Sequence, residues 1–137
     1  MRMRSPQELF RQRSKFTELG PGLLESVYEV VMCNLLKSRG FAVERQRPVP
    51  IAFRGLRFDE GFRADLIVNE KVLVELKTVE ALSTLHKKQV LTYLRLSGLR
   101  LGLLINFNST LIKDSTRRVA NGMPEEPGEE SQGGEIQ

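Results

Sequence analysis

The sequence predicts an α/β protein with the element order α-β-β-β-α-β, a mixed central sheet flanked by helices, and three patterns carry that prediction. Between Leu23 and Leu36 apolar residues recur at three- and four-residue spacing, as on one side of a helix. Two apolar runs, Phe62 to Val68 and Val72 to Lys77, are joined by Asn69-Glu70-Lys71, as in a hairpin whose strands are covered on both faces. A second helical pattern, Thr84 to Leu96, leads into a short continuous apolar strand from Leu99 to Phe107.

Taken in order, residues 1–17 form a basic amino-terminal segment in which Leu9, Phe10 and Phe16 suit a short amphipathic helix. Gly20-Pro21-Gly22 opens the first long helix. Its apolar set is Leu23, Leu24, Val27, Tyr28, Val31, Met32, Leu35 and Leu36, expected to be buried, with Gly40 as the stop. Phe41 to Phe53 alternates and is interrupted by Pro48 and Pro50, which suits an edge strand ending at an Arg54-Gly55 turn. Another strand follows from Leu56. In the second helix Leu85, Val90 and Leu94 mark the expected buried stripe. Leu111 to Val119 adds one more strand or helix. Residues 18–121 form the predicted domain, and residues 122–137, GMPEEPGEESQGGEIQ, read as a disordered acidic tail.

The chain has 137 residues and a single cysteine, Cys33, so no internal disulfide is available and Cys33 reads as a small apolar residue of the first helix. No apolar stretch approaches the ~20 residues of a membrane-spanning helix, and the basic start lacks an apolar signal core. A cytoplasmic location, with no membrane partner, is the expectation. Five acids lie after Gly122, where there is no Lys or Arg, leaving 21 basic against 12 acidic residues in residues 1–121, a formal +9. That balance favours a polyanionic partner, nucleic acid first.

Asp65 and Glu75, the latter followed by Lys77, interrupt strands that should be wholly apolar. A buried carboxylate without a partner costs several kcal/mol, so both need a reason. Register supplies one: a three-residue loop sets Asp65 opposite Glu75 with Lys77 on the same face, whereas a two-residue loop turns Asp65 away. Paired carboxylates repel unless a cation lies between them, and Mg²⁺ suits two hard oxygen ligands. Lys77 would then position a water or neutralise charge on a phosphate. The competing reading is a surface salt-bridge cluster. Gln89 and Tyr93, four apart, share a helix face and could hydrogen-bond a phosphate or water; either alone reads equally as a helix flank. Glu25, three before Tyr28, interrupts an apolar sector, or is merely a favourable first-turn charge. His86 reads as a helix-end group.

Asp65, nine residues, then Glu75-Leu76-Lys77, after a helix bearing an acid and before Gln89-x-x-x-Tyr93, resembles the PD-(D/E)xK nuclease superfamily and its RecB-like branch. More narrowly, Gly22-Leu23-Leu24-Glu25-Ser26-Val27-Tyr28 resembles the name-giving pattern of the GxxExxY protein family. That likeness continues through Glu44-Arg45-Gln46-x-Pro48-Val49-Pro50, Arg63-Ala64-Asp65-Leu66, Val74-Glu75-Leu76-Lys77, Gln89-Val90-Leu91-x-Tyr93-Leu94 and Gly102 to Phe107. The resemblance implies a restriction-endonuclease-like core in which Asp65 and Glu75 hold Mg²⁺ (or Mn²⁺), Lys77 acts on the water, and Glu25 supports the metal shell. It implies a metal-dependent phosphodiesterase acting on DNA, with Gln89 and Tyr93 beside Lys77. Ala64 stands where the superfamily has proline, and Phe16 where a histidine is expected. The alternative is a catalytically inactive nuclease-fold protein serving as a nucleic-acid-binding module, or one that self-assembles as a homo-oligomer.

Overall fold

The computed structural model describes residues 19–108 and 116–122. Their elements are α1 (Glu25–Ser38), β1 (Val43–Phe53), β2 (Leu56–Val68), β3 (Val72–Lys77), α2 (Thr84–Ser97), β4 (Leu101–Asn106) and β5 (Thr116–Ala120). The five strands form one mixed sheet in the order β1-β2-β3-β4-β5, antiparallel except for the parallel pair β3 and β4 that α2 connects. The predicted order is observed, and the final segment resolves in favour of a strand. The expected amino-terminal helix, the acidic tail beyond Gly122 and residues 111–115 lie outside the described residues.

Turn chemistry sets the registers. Arg54 and Gly55 both take positive φ, +47° and +81°, in the two-residue turn joining β1 to β2. Asn69 and Glu70 take φ of +53° and +55°, and Val68 pairs with Val72, so the loop between β2 and β3 holds three residues. That is the register in which Asp65 lies level with Glu75. The Asn69 side chain also accepts the Ala42 N–H at 2.9 Å, tying the hairpin to the start of β1.

Two apolar layers enclose the sheet. On one face α1 packs Tyr28, Met32, Cys33 and Leu36 against Leu66, Val74, Leu76, Leu103 and Ile105. On the other α2 packs Val90, Leu91 and Leu94 against Ala64, Ile67, Leu73 and Leu104. Close approach of α2 to β4 depends on Gly102, where an added Cβ would stand 2.6 Å from Val90 Cγ1. β3 and β4 are covered on both faces, so Leu101 to Asn106 is buried throughout.

Two helical expectations need correction. Leu23, Leu24 and Val27 are exposed while Glu29, not singled out by its spacing, is buried, because the core-facing stripe of α1 runs through Tyr28, Met32 and Leu36. Likewise Leu85 is exposed, since it lies in the first turn of α2, ahead of the stripe Val90, Leu91 and Leu94 that meets the sheet. Cys33 is buried in the α1 layer, as expected.

Candidate functional site

The paired ladder of β2 and β3 reads Val68 with Val72, Ile67 with Leu73 and Leu66 with Val74, and stops there. Beyond it, side chains take over from backbone. The Leu76 N–H donates to Asp65 Oδ2 at 2.8 Å, and the Asp65 N–H donates to Glu75 Oε1 at 3.2 Å. Each strand thus receives the other's carboxylate at the fork where the two part. Glu75 is only 5% exposed. Burial, then the charge of Asp65, push its carboxyl up to about 8, against the opposing pull of the Asp65 N–H and of the Lys77 charge, while a hydrogen bond between the two side chains adds to the rise. Among the described residues neither carboxylate is in an ion pair, so the salt-bridge-cluster reading finds no support.

Lys77 ends β3. Its Nζ donates to Gln89 Oε1 at 3.4 Å, joining the strand to the face of α2 that also carries Tyr93. Burial raises the Tyr93 phenol's pKa, and the charges of Glu75 and Asp65 raise it further, while a hydrogen bond with Gln89 pulls the other way. The phenol therefore stays a neutral donor at neutral pH. Its ring stacks on Phe62 of β2, with centroids 4.0 Å apart, which fixes the distance between α2 and the fork.

Glu25 lies in the first turn of α1 and is partly buried. Its pKa is raised, by burial first and by Asp65 second, with Lys77 acting against both. Its charge is thus felt by Asp65 and Lys77, but among the described residues it does not complete a three-carboxylate set with Asp65 and Glu75. Tyr28 holds the turn that leads into the helix: its hydroxyl donates to Gly20 O at 2.7 Å and accepts the Leu23 N–H at 3.1 Å. The ring is buried and stacks on Phe107. His86 closes a capping box instead of entering the site, its Nδ1 accepting the Ser83 N–H at 3.0 Å.

Sequence reasoning missed two groups. Asn106, fully buried and in register with Lys77, donates to Val79 O at 2.7 Å and accepts the Val79 N–H at 3.1 Å. With the Phe107 N–H on Lys77 O, it fixes the chain just beyond the lysine. A polar residue at the end of a wholly apolar strand was the available signal. The other group, Glu29 with Gln46, had no comparable signal because the contacts join α1 to β1.

Among the described residues no set of three or more His, Cys, Asp or Glu side chains is arranged to hold a metal ion. Asp65 and Glu75 are two. Level across the fork, with Glu75 buried, Asp65 half-buried and neither in an ion pair, they fit a small divalent cation that takes one or two carboxylates and keeps several waters.

A helix-flanked mixed sheet with opposed acids and a lysine at the fork is the plan of a restriction-endonuclease-like nuclease core. A family model described as the PD-(D/E)XK nuclease superfamily matches residues 13–119, and the chain belongs to that superfamily. Among solved structures it is similar to one titled "Crystal structure of SSO0001", at 21% identity and a TM-score of 0.51 over 85% of this chain. The match covers 63% of that structure's chain, and at this identity it speaks for the fold alone. No curated protein matches the chain. No helix among the described residues is long and apolar enough to cross a membrane.

Proposed function

We propose that this protein is a Mg²⁺-dependent phosphodiesterase acting on DNA. The observation that carries the reading is the fork between β2 and β3, where Asp65 and Glu75 each bind the opposite strand's backbone and Lys77 is drawn to Gln89. Asp65 and Glu75 are the residues that would hold the cation, with Glu25 in the supporting role that the family resemblance implies. A divalent ion bound there, Mg²⁺ or Mn²⁺, supplies Lewis-acid polarisation of a phosphate oxygen and a water of lowered pKa. Lys77 presents a cationic donor to the charge that grows on the phosphate, and Gln89 fixes where that donor points. Tyr93, kept neutral, offers a hydroxyl to a phosphate oxygen or to water. The formal +9 of residues 1–121 draws the polyanion to the site.

Incubating the protein with linear and circular DNA, with and without Mg²⁺ or Mn²⁺, tests this directly. Metal-dependent cleavage that disappears in Lys77→Ala is expected; the absence of cleavage with either ion overturns it. Loss of linear DNA alone indicates attack from ends, and conversion of the circle indicates internal cutting. The second reading, an inactive nuclease-fold module that binds nucleic acid or self-assembles, draws on the exposed Phe53, Leu56 and Phe58 at the tip of the β1–β2 hairpin. For that module, DNA binding or a concentration-dependent mass would persist without any metal response.

A further inference from the structure

Strand β1 carries a left-handed residue at Gln46. Arg45 pairs with Leu66 and Arg47 with Ala64, so Gln46 lies level with Asp65, yet its φ is +52°. A non-glycine residue held there costs ~1–3 kcal/mol and persists only where its surroundings enforce it. What enforces it is visible in the side chain. Gln46 Nε2 donates to Glu29 Oε2 at 2.8 Å and to Asp65 Oδ1 at 3.3 Å. Glu29 is 3% exposed, one turn along α1 from Glu25, and its other oxygen accepts Arg45 Nε at 3.2 Å.

The chemistry has a direction. An ionised carboxylate only accepts hydrogen bonds, so Glu29 obliges the Gln46 amide to present nitrogen, not oxygen, and the second N–H of that nitrogen is left for Asp65. Asp65 is then held at both oxygens, by Gln46 on Oδ1 and by the Leu76 N–H on Oδ2. With Glu75 ionised, each Asp65 oxygen keeps a lone pair for a cation. A reversed amide would instead aim its carbonyl at the carboxylate and drive it from the fork.

We propose that Gln46 is a positioning residue, oriented by buried Glu29, that holds the Asp65 carboxylate in place for a divalent cation. This rests on the nuclease reading above and names residues that act on the same site.

Gln46→Gly separates the two roles the residue has, because glycine favours φ near +52° and removes the amide. Thermal melts across a Mg²⁺ titration give the readout. The metal-free variant should melt within a few degrees of the parent, relief of the backbone offsetting the lost hydrogen bonds. The midpoint, taken as the Mg²⁺ concentration that gives half the Tm rise the parent shows at one fixed high concentration, should increase about tenfold, as for loss of a residue that orients a metal ligand. Cleavage should fall at low Mg²⁺ and recover at saturation. Glu29→Gln, which frees the amide to reverse without touching the strand backbone, should move the midpoint in the same direction and covers the case in which Gln46→Gly does not fold. A Tm change with an unmoved Mg²⁺ midpoint, in whichever variant folds, overturns the proposal and leaves the nuclease reading standing. A parent that neither cleaves DNA nor responds to Mg²⁺ overturns both.

Discussion

Under the proposed function Glu75 is under opposing demands: its place beside Asp65 would serve a cation, while its burial penalises the charge that would bind one. In the metal-free fold it keeps its proton to about pH 8, whereas an unfolded glutamate loses it near 4.5. Between those values the folded state binds more protons, so this carboxyl makes the fold less stable as pH rises. Glu75→Gln abolishes that slope. The melting temperature of the variant should gain on the parent from pH 5 to pH 8 by an amount corresponding to on the order of 1–3 kcal/mol. Adding Mg²⁺ at pH 8 should raise the parent's Tm and leave the variant's unchanged. A variant that loses stability at every pH, with a parent indifferent to metal, would mark Glu75 as a structural group. Lys77→Ala tests a different role. It should keep the Mg²⁺-induced rise in Tm, because the carboxylates remain, and lose cleavage by at least ~100-fold, because the donor facing the phosphate is gone.

At the scale of elements, the site depends on how tightly α2 and β4 are seated. Gly102 lets Val90 and Leu94 approach the sheet, and Gln89 and Tyr93 ride on that same helix. Gly102→Ala should cost about 1–3 kcal/mol in chemical denaturation, through overpacking against Val90 and Leu94. Because the shift also moves Gln89 from Lys77, cleavage under folded conditions should fall as well. Asn106 does the comparable work at the end of β3. Asn106→Leu leaves the N–H and C=O of Val79 without their partner, a cost of about 1–3 kcal/mol for each group left unsatisfied. Unchanged stability in that variant would mean that the 78–80 segment finds other partners.

For the whole molecule, charge is the property the partner feels first. Residues 1–121 carry a formal +9 and the remainder carries five acids and no base. Binding to DNA should therefore weaken steeply between 50 and about 200 mM salt, as neutralised phosphates release their counterions. A chain ending at Asn121 should bind at least as tightly as the full chain, having lost only negative charge. Affinity indifferent to salt, measured by fluorescence anisotropy with labelled DNA, would count against a phosphate-led contact.

Pattern along the chain was enough for the order of elements, the three-residue loop alternative that builds a site, and the identity of Asp65, Glu75, Lys77, Gln89, Tyr93 and Glu25 as candidates. Those features are local: period, turn residues and polar interruptions of apolar runs act over a few positions, so they are written along the chain. Only the tertiary structure chose the register, exposed Leu24, Val27 and Leu85, and buried Glu29. Which side of a helix meets the sheet follows from how whole elements pack. The Glu29–Gln46–Asp65 contacts join α1, β1 and β2 across gaps of 16 or more residues. No periodicity spans such gaps, and a left-handed glutamine has no mark in a sequence; only the burial of a charge that must be satisfied brings those three side chains together.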